Sequence, residues 1–127
     1  MAVKFKVVEK GEPGVPGGGT KQFYARAVTQ GEANISELTR SIEKISTVSG
    51  ADIRAVLYAL VDVIKDDLAT GRIVRIGDLG SLRVSLSSEG RPTAEEVNAS
   101  VIRNARFLFT PGPLLKTTLQ SLKYQKA

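Results

Sequence analysis

Basic side chains in the second half of the chain are the residues whose type and spacing suit a chemical task. Arg72, Arg75 and Arg83 lie on two short strand-like runs that flank a glycine-rich corner, residues 77–82. The guanidinium group of arginine stays charged at neutral pH and can bind a phosphate through two parallel hydrogen bonds. We therefore interpret the three arginines as candidate phosphate contacts, with a solvated sheet face as the alternative.

A second group of basic residues follows a segment without regular periodicity. Residues 88–99 show neither the helical nor the strand period, which predicts a protruding, flexible arm. Arg91 lies on this arm, and Arg103 and Arg106 lie on the strand that returns from it. Lys116 lies on the last predicted helix, where a lysine either contacts a phosphate or favours the helix dipole. These four cations extend the set of candidate contacts.

The composition excludes most enzymatic chemistry. The 127 residues include no histidine and no cysteine, which rules out imidazole acid–base catalysis, thiol nucleophiles, disulfides and Cys/His zinc sites. One tight carboxylate cluster, Asp62, Asp66 and Asp67, lacks the spacing of a calcium loop and is interpreted as a solvated helix face. We expect a protein that is not an enzyme and that uses neither a metal nor a cofactor.

Hydropathy argues against a membrane protein. The longest apolar run is far shorter than the roughly 20 residues that span a bilayer, and the first residues lack a continuous signal-peptide core. We therefore expect a cytoplasmic location.

Charge is distributed unevenly along the chain, whose formal net charge is +5. Residues 1–31 hold five basic and two acidic side chains, residues 32–90 hold seven and nine, and residues 91–127 hold six and two. Two basic ends thus flank an acidic centre. This asymmetry favours a protein that presents one face to a polyanion, although a solvated basic surface gives a similar pattern.

Two capped helices are predicted in the centre of the chain. Asn34 and Glu37 have the spacing of a capping box, and Ser49 and Asp52 repeat it. The second helix ends at Gly71, where a left-handed cap is available. Its apolar residues form one broad stripe, which comprises Ile53, Val56, Leu57, Leu60, Val61, Ile64 and Leu68. These patterns predict an antiparallel helical hairpin.

Strand patterns follow the helices. Leu82, Val84 and Leu86 alternate with polar residues, and Phe107 and Phe109 do so on the returning strand, where we interpret them as core residues. A proline-containing segment then begins a last helix, for which Leu115, Leu119 and Leu122 are the predicted buried stripe. The chain is therefore assigned to the α+β class, with a helical hairpin, a three-stranded antiparallel sheet, an arm and a C-terminal helix.

Residues 1–33 form a β-rich extension that precedes this pattern. Residues 3–7 alternate apolar and basic side chains, and residues 22–28 are a second strand-like run. The glycine- and proline-rich segment between them predicts the loop of a wide hairpin. We therefore divide the chain into a hairpin extension, residues 1–33, and a second domain, residues 34–127.

The second domain resembles the bacterial histone-like DNA-binding family of HU and integration host factor. Gly77-Asp78-Leu79-Gly80-Ser81-Leu82 is similar to the family's Gly-aromatic-Gly-Thr-Phe corner, with leucine in place of both aromatics. Phe109 and Gly112 match the family's Phe-x-x-Gly entry to its last helix. The order of elements over about 90 residues is also that of the family. The chain is similar to a divergent branch that carries an N-terminal extension.

The resemblance implies a nucleoid-associated protein that binds double-stranded DNA through backbone charge and shape, and that bends or condenses it. It also implies a homodimer, which the apolar stripe of the second helix favours independently, because that stripe is wider than one short partner helix and one thin sheet can cover. In the family, a proline at the arm tip wedges between base pairs, and Pro92 is the nearest match, with a simple turn-forming role as the alternative. Lys116 and the six arginines named above are the other residues to which it assigns DNA contact.

One feature favours a different class of function. Glu89, Glu95 and Glu96 flank the arm proline, and carboxylates near phosphates weaken binding. The alternative is a structural or protein-interaction module of the same fold that has lost strong DNA binding and engages a protein partner through its N-terminal hairpin.

Overall fold

The computed structural model of the protein describes residues 1–127, which form two compact units. The first unit comprises residues 1–34 and 119–127, and the second comprises residues 35–118. In chain order the elements are β1 (Val3–Lys10), β2 (Gln22–Val28), α1 (Ile35–Ile45), α2 (Gly50–Ala69), β3 (Val74–Ile76), β4 (Gly80–Ser88), β5 (Ile102–Pro111), α3 (Pro113–Gln120) and β6 (Tyr124–Lys126).

The first unit contains a three-stranded sheet with the order β2-β1-β6. β1 and β2 form the predicted antiparallel hairpin, in which Lys4 lies opposite Val28 and Lys10 lies opposite Gln22. β6 pairs in parallel with the other edge of β1. Residues 119–127 therefore join the hairpin, although the sequence patterns had grouped them with the helical part of the chain.

The helical hairpin begins and ends where the capping patterns predict. The Ser49 hydroxyl accepts a hydrogen bond from the Asp52 N–H at 3.4 Å and caps α2. At the other end, Gly71 has φ +82°, and the Arg72 N–H donates to the Asp67 carbonyl at 3.1 Å. This left-handed turn closes the free carbonyls of the helix end. None of the three helices combines the length and the apolar composition needed to cross a membrane.

A second antiparallel sheet, with the order β3-β4-β5, follows α2. Its glycine-rich corner packs directly on the turn before α3, where the Gly112 N–H donates to the Leu79 carbonyl at 2.9 Å. A Cβ atom at Gly112 would collide with the Asp78 carbonyl oxygen, and Gly80 has φ +144°. Both positions therefore require glycine, since any side chain would separate the corner from the turn.

Few apolar side chains are buried within the single chain. Ile53 and Leu68, at the two ends of the predicted α2 stripe, are buried, whereas Val56 and Val61 in its middle are 64% and 60% exposed. Phe107, which the alternation pattern assigns to the core, is 65% exposed. An isolated chain thus leaves much of its predicted core in contact with solvent.

The last helix is shorter than its predicted apolar stripe. α3 ends at Gln120, and Leu119 is 56% exposed. The following residues leave the helix because their backbone pairs with β1: the Val3 N–H donates to the Lys123 carbonyl at 2.8 Å, and the Ala127 N–H donates to the Phe5 carbonyl at 2.9 Å. The helical stripe predicted through Leu122 is therefore wrong beyond Gln120.

Candidate nucleic-acid interface

One face of the second sheet carries an arginine from each of its three strands. Arg75 lies on β3, Arg83 on β4 and Arg106 on β5. Successive side chains of a strand point to opposite faces, and the register places Arg75 opposite Ser81 and Arg106 opposite Ser85. All three arginines therefore share one face. We call it the polar face, which comprises Arg75, Ser81, Arg83, Ser85, Ser87, Asn104, Arg106 and Thr110, together with the half-buried Leu108 opposite Arg83.

The three arginines of the polar face have no carboxylate partner. Each is exposed, and none has a carboxylate within 4.0 Å. The other polar side chains of the face are hydroxyls and an amide, which are neutral. All charges on the polar face are thus positive, and hydrogen-bonding groups lie between them.

A cleft of about 340 Å³ adjoins the polar face at the N-terminus of α3. Its walls include the cations Arg75 and Lys116 and the hydroxyl-bearing residues Ser81 and Thr110. The N-terminus of α3 adds a partial positive charge, which suits a phosphate. The Gly112 N–H already donates to the Leu79 carbonyl and the Lys116 N–H to the Gly112 carbonyl. Arg75 of β3 and Lys116 of α3, far apart in the chain, therefore line one cleft of suitable size and charge for an anion.

Arg72 lies outside this group. Its Nη1 atom is 3.1 Å from Oδ1 of Asp67, next to the C-terminal end of α2. The carboxylate partly neutralises the guanidinium group, although 72% of the Arg72 side chain is exposed. Arg72 is therefore a weaker candidate contact than the arginines of the polar face.

The two remaining arginines share one carboxylate at the base of the arm. Nη2 of Arg91 donates to Oε2 of Glu89 at 2.7 Å, and Arg103 donates to Oε1 of Glu89 through Nη2 at 3.1 Å and Nε at 3.3 Å. The backbone closes the same junction, since the Glu89 N–H donates to the Val101 carbonyl at 2.8 Å. Glu89 thus pairs with Arg91 of the arm and with Arg103 of β5 at the same time.

Pro92 lies on the exposed part of the arm. The arm has short 3-10 turns at Ala94–Glu96 and Ala99–Val101 and no strand of its own. Thr93 donates from its hydroxyl to Oε1 of Glu96 at 3.0 Å, which places this carboxylate close to the proline. A wedge at Pro92 would therefore meet DNA with a negative charge beside it.

Three participants were not identified from the sequence. Ser81 and Thr110 were assigned to strands but not to the site, and only the pairing of β4 with β5 brings their hydroxyls together. Glu89 was noted as a charge near the arm, but its contact with Arg103, 14 residues away, has no local sequence signal. No group of three or more Asp or Glu side chains is placed to hold a metal ion.

Comparison with protein families identifies the fold. Residues 1–126 match the HU-HIG model, described as an HU domain fused to wHTH, Ig or a glycine-rich motif. The chain belongs to the HU-HIG family. The expected histone-like α+β fold with an N-terminal β extension is thereby confirmed. Comparison of this HU-HIG chain with curated protein sequences gives no significant match.

Two solved structures share the fold of this HU-HIG chain. A crystal structure from Bacteroides vulgatus, described as that of a bacterial DNA-binding protein, aligns with 99% of the chain at 14% identity and a TM-score of 0.64. The chain spans about half of that protein, 49% of its length. HU from Anabaena, crystallised with DNA, aligns over 69% of the chain and 98% of its own length, at 22% identity and a TM-score of 0.52.

Proposed function

We propose that this HU-HIG protein binds double-stranded DNA through the phosphate backbone, with little dependence on base sequence. The observation that carries the proposal is the polar face, on which Arg75, Arg83 and Arg106 stand exposed without a carboxylate partner. Phosphate neutralisation by such cations releases counterions and drives binding irrespective of sequence. The described DNA-binding role of the Bacteroides protein and the DNA complex of Anabaena HU support the same ligand.

The cleft beside the polar face supplies an anchoring point for one phosphate. Arg75 and Lys116 provide charge, while Ser81 and Thr110 provide hydroxyl donors and the α3 N-terminus provides a partial positive charge. A phosphate held there fixes the register of the duplex on the sheet, because backbone contacts position a protein without reading bases.

The functional unit in this proposal is a homodimer. In the single chain, three valines in the middle of α2 are exposed, namely Val56, Val61 and Val63. Phe107 on β5 is exposed as well. Large apolar side chains exposed in such number are typical of an interaction site. A second copy of the chain, packed about a two-fold axis, would cover it and present two polar faces to one duplex.

The biological role that follows is architectural. Contacts to the backbone on two polar faces favour DNA that curves between them, so that the protein bends and condenses DNA in the nucleoid of the cytoplasm. The arm contributes little to this in its present conformation, because Glu89 occupies Arg91 and Arg103. Within this proposal the protein has no enzymatic role.

A second candidate function is favoured by the same arm. Glu89 pairs with Arg91 and Arg103, and Glu95 and Glu96 are exposed, so the arm presents more negative than free positive charge and suits a protein contact better than a DNA contact. In this alternative the chain is an interaction module, and the apolar face of the N-terminal hairpin engages a protein. Val3, Phe5, Ala25, Ala27 and Tyr124 line a shallow cleft of about 240 Å³ on that face.

A fluorescence anisotropy titration with unrelated duplexes of about 30 base pairs, repeated at several salt concentrations, tests the proposed function. We expect similar affinities for all duplexes and a linear fall of log K with log salt. Affinity that differs widely between duplexes would indicate base readout, and an absence of binding at low salt would favour the interaction module.

A further inference from the structure

The sheet of the first unit has a second cationic surface, separate in the chain from the polar face. Lys4, Lys6 and Lys10 alternate along β1, and Arg26 of β2 lies directly opposite Lys6. Strand alternation places all four on one side of the sheet. The apolar cleft, whose lining includes Phe5 and Ala27, lies on the opposite side of the sheet and confirms this assignment of the two sides. We call the four cations the hairpin basic face.

No acidic side chain neutralises the hairpin basic face. All four cations are exposed, and none has a carboxylate within 4.0 Å. The one acidic residue on these two strands, Glu9, lies opposite Phe23 and therefore belongs to the other side of the sheet. The charge of the face is thus available to a ligand.

The pairing of Lys6 with Arg26 works against the stability of the sheet. Residues directly opposite in an antiparallel pair have Cβ atoms about 5 Å apart, and like charges at such positions are destabilising. None of the other six residue pairs between β1 and β2 places two like charges opposite each other. The hairpin therefore does not need two cations at this pair in order to form. A polyanionic ligand would turn this unfavourable pair into a favourable contact.

We propose that the hairpin basic face binds the phosphate backbone of duplex DNA as a second contact surface. Lys4 to Lys10 spans about 20 Å at the rise of a β-strand, and a duplex presents one phosphate charge per roughly 1.7 Å of its axis. A straight row of cations on a sheet therefore meets several phosphates of a stiff duplex at once. The choice of DNA over another polyanion rests on the proposed function.

Removal of the like-charge pair tests this surface. The full chain with Lys6→Gln and Arg26→Gln should lower the magnitude of the slope of log K against log salt by about 1.8, which is 0.9 for each lost phosphate contact. The same variant should have a raised Tm at low salt, because the repulsion between the two cations is gone. A lower affinity together with a higher Tm is not expected from a purely structural role.

Arg40→Gln with Lys44→Gln is the matched control. These residues lie four apart on α1, are exposed and have no carboxylate within 4.0 Å. The control removes the same net charge, but from α1 rather than from the hairpin basic face. Its salt slope should therefore stay at the wild-type value. The exchange Lys6→Arg with Arg26→Lys retains both charges and should also retain the slope.

The outcomes separate this inference from the proposed function. If wild-type protein binds DNA and Arg83→Gln with Arg106→Gln weakens it, but the Lys6/Arg26 variant matches wild type, the hairpin basic face is not a DNA contact and the proposed function stands. If the Lys6/Arg26 variant alone weakens binding, this inference stands and the role of the polar face fails. If the α1 control loses as much DNA affinity as the Lys6/Arg26 variant, the hairpin basic face is not a second contact surface. The same conclusion follows if the Lys6/Arg26 variant loses binding to phosphatidylserine vesicles but keeps its affinity for DNA.

Discussion

Arg103 and Glu89 meet across the base of the arm, where Nη2 of the arginine lies 3.1 Å from Oε1 of the carboxylate. The other carboxylate oxygen accepts from Arg91 at 2.7 Å, so one negative charge serves two positive ones. The Glu89 and Arg103 side chains are 36% and 65% exposed, and water weakens such pairs. A phosphate of DNA can therefore compete with Glu89 for either arginine.

Glu89→Gln should strengthen duplex binding. The amide retains a hydrogen-bond acceptor but removes the charge that occupies Arg91 and Arg103, so up to two further phosphate contacts become available. We expect the magnitude of the salt slope to rise by between about one and two. Glu32→Gln, a change of the same charge at an exposed position outside the arm, serves as the control. An unchanged slope in Glu89→Gln would show that the arm does not approach DNA.

Single alanine substitutions should identify the arginines of the polar face as backbone contacts. Arg75→Ala, Arg83→Ala and Arg106→Ala should each weaken binding to unrelated duplexes by the same factor and lower the magnitude of the salt slope by about one. Arg72→Ala should have a smaller effect, because Asp67 already occupies its guanidinium group at 3.1 Å. Anisotropy titrations on two duplexes of different sequence measure both quantities. Losses confined to one duplex would assign the arginine to base readout.

Pro92→Ala tests whether the arm tip wedges into DNA. With Glu89 intact and Glu96 beside the proline, we expect this substitution to change neither the bend angle nor the preference for nicked duplex. In the Glu89→Gln background the same substitution should reduce both, since unstacking a base step costs a few kcal/mol that an inserted side chain must offset. Fluorescence energy transfer between the duplex ends measures the bend. A large effect of Pro92→Ala in otherwise wild-type protein would establish the wedge without release of the arm.

Val61→Glu should disrupt the proposed homodimer. Val61 is 60% exposed on α2 of the single chain, and a carboxylate there would be buried without a partner in a two-fold interface. Sedimentation equilibrium at tens of micromolar should give a dimer for the wild type and a monomer for Val61→Glu, with weaker DNA binding by the monomer. Asp62→Glu, at the neighbouring position, should remain a dimer in the same measurement. A monomeric wild type would contradict this part of the proposal.

Local patterns predicted the elements that are determined locally. Ser49 caps α2 and Gly71 ends it because side-chain and left-handed caps act within a few residues. The two-residue period also predicted that Arg83 lies on the polar side of its strand. These features depend on neighbours in the sequence, and the sequence therefore contains their signal.

Features formed by distant residues had no such signal. Tyr124-Gln125-Lys126 has no strand pattern, and it becomes β6 because β1 offers an unpaired edge. The exposure of Phe107 was also not predicted, because periodicity reports that a face is apolar but not whether the same chain covers it. The width of the α2 stripe, by contrast, had indicated that one chain does not cover Val61. The cleft between Arg75 and Lys116 likewise exists only after β4 and β5 have paired.

The pairing of β6 with β1 imposes an order on folding. The β1–β2 hairpin is a local structure that can form within microseconds, whereas its third strand joins residues from opposite ends of the 127-residue sequence and must close a long loop. During synthesis, the edge of β1 stays bare until residues 124–126 have been made. Lys4 and Lys6 on that strand discourage edge-to-edge association with another nascent chain. The cations of β1 thus disfavour pairing of its bare edge with another strand until β6 has formed.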